Sequence, residues 1–184
     1  MLPFITKTMQ KDWARLLIVV FQFIFHKHIT TESEKPNKTE PSQPTQNPNA
    51  PRGYRNNNPL NIRHSNDYFH GEITGTDKAF KTFSCMPYGY RVAFVILHTY
   101  LLRGANTIEK IISRWSPPTE NDTENYIATV EKFSGIPRNK ELTASDGADY
   151  ILIVSAMSFM ESGTNADISE IKAGFNLQSK FKMQ

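Results

Sequence analysis

Cysteine is almost absent from this chain of 184 residues. The single one, Cys85, excludes an internal disulfide framework and any zinc site built on several thiolates. Alone, it reads as a small buried hydrophobe. His64, His70 and His98 lack metal-ligand spacing, so neither a metal nor a cofactor is expected. Long apolar runs are missing as well. The most apolar stretch, residues 16–25, is ten residues long and is interrupted by Gln22. A third scarcity is net charge in the body of the chain. The total is +3, but residues 53–184 carry 14 basic and 14 acidic side chains. A neutral body offers no phosphate-tracking stripe, which argues against nucleic-acid binding.

The excess positive charge sits in residues 1–29, where Lys7, Lys11, Arg15 and Lys27 face only Asp12. Three of these cations precede the apolar run LLIVVFQFIF, the layout of an export signal. Ten residues make a helix of roughly 15 Å, about half a hydrocarbon core. No small-residue cleavage site follows. The expectation is an uncleaved signal or short anchor that meets the membrane through residues 13–25, with a buried helix of a soluble protein as the alternative. Basic flanks would keep the N-terminus cytoplasmic and send the rest outward. Residues 30–52 hold Pro36, Pro41, Pro44, Pro48 and Pro51 among polar side chains, with Ala50 the only aliphatic one. Such a stretch cannot bury enough surface to offset its ordering entropy, so a disordered tether is expected. A folded domain then spans 53–184. No internal repeat is present.

The body reads as mainly α with a small β element. Pro59 fixes a turn inside RNNNPLNIR, and β-type patches fall around Tyr68 and Phe69 and at residues 80–83. From about Gly89 the pattern is helical, with Val92, Val95, Ile96 and Tyr100 on one face and Gly104 at the end. Thr107 can cap a helix that buries Ile108, Ile111, Ile112 and Trp115 before Pro117 and Pro118 stop it. Asn121 and Glu124 suggest a capping box for a helix with Tyr126, Ile127, Val130 and Phe133 inside. Thr143 or Ser145 can cap the next, which runs through Ile151, Val154, Met157 and Met160. It is apolar nearly all round, so it is expected at the centre of the core. A last helix is expected over about 168–180.

Glu161 stands out at the C-terminal end of that apolar helix, just before Ser162 and Gly163. The helix dipole disfavours an ionised Glu there, and apolar neighbours would disfavour it further. A carboxyl still protonated near neutral pH is what a general acid needs, and in glycoside cleavage it protonates the bridging oxygen. The alternative is a Glu frayed into solvent.

Three strings carry a resemblance: RGYRNNNPLNIR at 52–63, PYGYRVAFVILHTYL at 87–101 and ISRWSPPTENDTENYIATV at 112–130. Together they resemble a family of bacteriophage virion-associated, lysozyme-like proteins, also found in bacterial genomes and often labelled only as structural proteins. The resemblance spans about residues 52–177. It implies an α+β lysozyme-like domain that cleaves the glycan strands of peptidoglycan as a lytic transglycosylase or muramidase does. In lytic transglycosylases the Glu-Ser-Gly helix end comes first; here it comes last. The order of motifs therefore implies a circularly permuted fold in which residues 56–61 pack beside Glu161.

On this reading Glu161 is the general acid and base, and Glu120 is the rival. Glu120 also reads as a helix N-terminal charge beside Asn121 and Asp122. Asn58, Asn61, Asn121 and Tyr126 are the expected substrate-binding residues, with turn chemistry the alternative for the Asn run. Tyr88, Tyr90 and Trp115 are assigned to core packing. Asp67, Glu72 and Asp77 lie where a second carboxylate could sit, though each reads more readily as a solvated loop charge. The expected setting is the bacterial cell envelope, with a phage virion as the alternative. The competing function is a non-catalytic structural or peptidoglycan-binding module on the same fold.

Overall fold

A computed structural model describes residues 49–119 and 122–183. The expected anchor at 13–25 and most of the expected tether lie outside these residues. All described residues belong to one compact unit, Lys38–Gln184. The tether boundary moves slightly. Arg52, placed in the tether by composition, already belongs to a one-turn helix, α1 (Arg52–Arg55). It is held there by a two-pronged ion pair to Asp77 at 2.6 and 2.7 Å.

The rest is mainly helical, as expected. A two-stranded antiparallel sheet, β1 (Glu72–Ile73) and β2 (Thr82–Phe83), pairs Glu72 with Phe83 and Ile73 with Thr82. Tyr68 and Phe69, expected in the first strand, precede it; Tyr68 is exposed and its hydroxyl donates to the Glu72 carbonyl. The buried Lys81 ammonium bridges both Glu72 oxygens, at 2.9 and 3.0 Å, and pins the hairpin shut.

Five further helices follow: α2 (Met86–Leu102), α3 (Ile108–Trp115), α4 (Thr123–Ser134), α5 (Gly147–Ser162) and α6 (Ile168–Asn176). Helix α5 is the centre of the core. Its residues Ile153, Val154, Ser155, Ala156, Met157 and Ser158 are all buried, which a one-sided amphipathic helix could not show. It packs against α4, α6, α2 and α1. Cys85 is buried, as expected of a lone thiol among apolar neighbours.

Several boundaries differ from expectation, each for a local reason. Helix α2 starts at Met86, because Pro87 suits a first turn, where its missing N–H is no loss. Its inner face is Tyr90, Val92, Ala93, Phe94 and Leu97 rather than Val95, Ile96 and Tyr100. The helix is apolar on several sides, so periodicity alone did not orient it. Helix α3 is capped by Thr107 as expected, its hydroxyl accepting from the Lys110 N–H at 3.3 Å. Helix α4 is capped by Asp122, which accepts from the Asn125 N–H at 3.1 Å. Asp146, not Thr143 or Ser145, precedes α5, and its carboxylate ties back to the Thr143 N–H and hydroxyl. Helix α6 stops at Asn176, about four residues early, and the chain then turns so that the Gly147 N–H donates to the Lys182 carbonyl at 2.9 Å.

No helix among the described residues is long and apolar enough to cross a membrane. Residues 13–25 lie outside them.

Candidate active site

The site begins with the asparagine run between α1 and the hairpin. Asn57 and Asn61 both adopt left-handed backbone, each with φ of 49°. Asn tolerates this conformation better than most side chains. Asn58 is fully buried, and its amide is committed to backbone: Oδ1 accepts from the Ile62 N–H, and Nδ2 donates to the carbonyls of Ile62 and Lys81. Asn57 donates to the Phe83 carbonyl at 3.1 Å. These amides lash the loop to the hairpin. On the other side the Asn57 carbonyl lies against α2, where a Cβ on Gly89 would collide with it. Only glycine allows that approach. So Asn58, expected to bind substrate, instead builds the loop that presents Asn61.

Glu161 closes the site from the far end of the chain. It lies in the last turn of α5, and Gly163 ends the helix in left-handed backbone, φ 69°. Its carboxylate is half-buried and receives donors from three separate elements. The Tyr126 hydroxyl of α4 donates to Oε1 at 3.0 Å. The Trp115 indole N–H, from the end of α3, donates to Oε1 at 3.3 Å. The Asn61 amide donates to Oε2 at 3.1 Å across 100 residues of sequence. The closure expected between residues 56–61 and Glu161 is therefore present.

Two donors saturate Oε1, whereas Oε2 has one and keeps a lone pair for a further proton. Tyr126 is buried, and burial first, then the Glu161 charge, pushes its hydroxyl well above the ordinary tyrosine value. It stays a neutral donor. Its ring is packed inside, so Tyr126 orients Glu161 rather than stacking on a ligand.

An open cleft of about 320 Å³ runs past this carboxylate. Arg63, Phe80, Ile96, Tyr100 and Trp115 line it with Asn61. Glu161 is its one acidic side chain among the described residues. None of the carboxylates considered as partners lines the cleft. Glu72 is paired with Lys81. Asp77 is paired with Arg52 and receives Asn56, Ala79 and Phe80 N–H groups, which hold its carboxyl well below the usual range. Asp67 is exposed, with its carbonyl bound to Lys81. Glu120 and Asn121 lie outside the described residues. No group of three His, Cys, Asp or Glu side chains among the described residues could hold a metal ion.

Composition and spacing missed Trp115, Arg63, Phe80 and Tyr100. The helix face of Trp115 assigns it to the core. The signal was there in its position as the final residue of α3, directly before Ser116 and two prolines, where a side chain can leave the core and face a groove.

Fold and site together define a small, mainly helical domain built around one oriented carboxylate in an open cleft. The chain is 45% identical to Protein P5 of Pseudoalteromonas phage PM2 over 138 residues, covering 72% of this chain and 84% of that protein. It belongs to the family of that phage protein. No family model matches it.

Proposed function

We propose that this domain is a lysozyme-like, circularly permuted enzyme that cleaves the glycan strands of peptidoglycan. Glu161 would act first as general acid and then as general base. The observation that carries this reading is the Glu161 carboxylate, fixed by Tyr126, Trp115 and Asn61 at the wall of an open cleft of about 320 Å³. A carboxylate held by three donors from three elements is pre-oriented, which is what proton transfer to a bound oxygen requires.

In the first step the proton on Oε2 passes to the glycosidic oxygen, and the bond from that oxygen to the anomeric carbon breaks. In the second, Oε2 takes the proton from a hydroxyl of the same sugar as that hydroxyl oxygen attacks the anomeric carbon, leaving an anhydro ring. Glu161 ends protonated, as it began. A water-using enzyme ordinarily places a second carboxylate across the cleft. The described cleft has only Glu161, which favours the intramolecular route.

The relative's phage origin supports a virion setting, in which the domain opens the wall during entry or exit. The bacterial envelope, reached through residues 13–25, is the other setting, and membrane fractionation of the full chain separates the two.

The test is zymography on peptidoglycan with the full chain, wild type against Glu161→Gln, followed by mass spectrometry of the products. Clearing by wild type alone, with anhydro-sugar ends, is the expected result. Reducing ends would mean hydrolysis. Clearing by both forms would remove Glu161 from its role. Clearing by neither would make the domain a binding module.

A further inference from the structure

Charges over residues 53–184 cancel, but the fold does not spread them evenly. A second depression, broad and shallow with a volume of about 760 Å³, opens beside the cleft. It is lined by Arg103, Lys110 and Arg114 against one carboxylate, Glu109. Arg103 sits at the C-cap of α2, and Lys110 and Arg114 are one turn apart on α3, so one face gathers all three cations. Among the described residues none of the three joins an ion pair. Lys110 donates only to the Asn106 amide oxygen, at 3.2 Å.

The two hollows are neighbours. Pro117 lines both, and the Arg114 guanidinium lies 5.3 Å from the ring centre of Tyr100, which lines the cleft. Arg63 contributes a further cation to the cleft wall. Glu161, the one acid of the cleft among the described residues, thus shares its wall with one cation and borders a hollow that holds three more. An unsubstituted, uncharged glycan gains nothing from such a lining. A strand whose sugars carry carboxylates does.

We propose that the Arg103, Lys110 and Arg114 depression is a subsite for the carboxylates borne on the substituents of the glycan strand. This rests on the reading of Glu161 as the cleavage residue. An anionic membrane is the rival partner. Interfacial binding, however, asks for large apolar side chains among the cations. Ala105 and Pro117 are the only apolar residues in this lining besides Gly104.

The test uses the full chain and two substrates: native sacculi, and sacculi whose carboxylates have been amidated with a neutral amine. Binding is read by co-sedimentation at two ionic strengths. Wild type should bind native sacculi about tenfold more tightly than amidated ones, because three exposed charge pairs each contribute modestly. Raising the salt should erase the difference. The Arg103→Gln, Lys110→Gln, Arg114→Gln triple variant should bind native sacculi only as wild type binds amidated ones. Arg114→Lys on its own should keep the preference, which guards against a folding defect.

Glu161→Gln should keep the preference too, so loss of cleavage and loss of the subsite read out separately. If wild type cleaves yet treats both substrates alike, the subsite is overturned and the Glu161 reading stands. If the triple variant keeps the preference, the subsite is again overturned. Equal-part phosphatidylglycerol and phosphatidylethanolamine vesicles that bind wild type but not the triple variant, with sacculus binding unchanged, would assign the patch to a membrane instead.

Discussion

Tyr126→Phe tests the site most directly. The substitution removes one oxygen and leaves the ring, which is buried against the core. That oxygen donates to Glu161 Oε1 at 3.0 Å and lies 3.4 Å from the Met157 carbonyl. A hydrogen bond to a charged group contributes about 1.5–3 kcal/mol. Without it, Oε1 keeps only the longer Trp115 contact at 3.3 Å, and the carboxylate gains rotational freedom. If the full amount served orientation in the transition state, kcat would fall by about 10- to 100-fold. KM should move little, because Tyr126 does not reach the cleft surface. Trp115→Phe shares the same carboxylate oxygen, so the double variant should lose less than the product of the two single losses. The assay is the rate of soluble glycan release from purified sacculi, with the melting temperature measured in parallel. A variant with wild-type kcat and a lowered melting temperature would show that Tyr126 only packs, and the orientation argument would fail.

Glu161→Gln puts an amide donor where one carboxylate oxygen now accepts from Tyr126 and Trp115 or from Asn61, so it should melt a few degrees below wild type; a melting temperature at or above wild type in a thermal scan would contradict this. Asn58→Ala deletes three buried hydrogen bonds and should cost about 3 kcal/mol, or about 10 °C in melting temperature. It should also lower activity by displacing Asn61, and unchanged stability would mean that the loop is held by other contacts. Asp77 has its carboxyl lowered in the folded state, so its contribution is present above the unfolded value near 3.9 and lost as pH falls further. The melting-temperature gap between wild type and Asp77→Asn should therefore be full at pH 6 and close progressively below about pH 4. A gap independent of pH would show that the Arg52 pair does not stabilise the fold.

Much of the scaffold was legible because its signals are local. Thr107 as a cap and the all-round apolar pattern of α5 each depend on neighbours within a few residues. The orientation of α2 was not legible. Its apolar residues point in several directions, and only packing against α6 and α5 decided that Phe94 and Leu97 go inside while Ile96 and Tyr100 line a cleft. The asparagine run shows the same limit. Sequence marks Asn58 and Asn61 as equivalent amides, yet one is buried in backbone hydrogen bonds and the other reaches Glu161.

By itself the sequence determined a mainly helical body, a neutral charge sum and a carboxylate left at an unfavourable helix end. These follow from composition, helical periodicity and the dipole of a single helix, all properties that do not depend on distant residues. Only the tertiary structure decided what surrounds that carboxylate. Tyr126, Trp115 and Asn61 lie 35, 46 and 100 residues away, and three different elements must pack before their donors converge on one side chain. The same packing turned a charge sum of zero into an acid-centred cleft bordered by cations, because a sum fixes how many charges a domain carries and the fold fixes where each one faces.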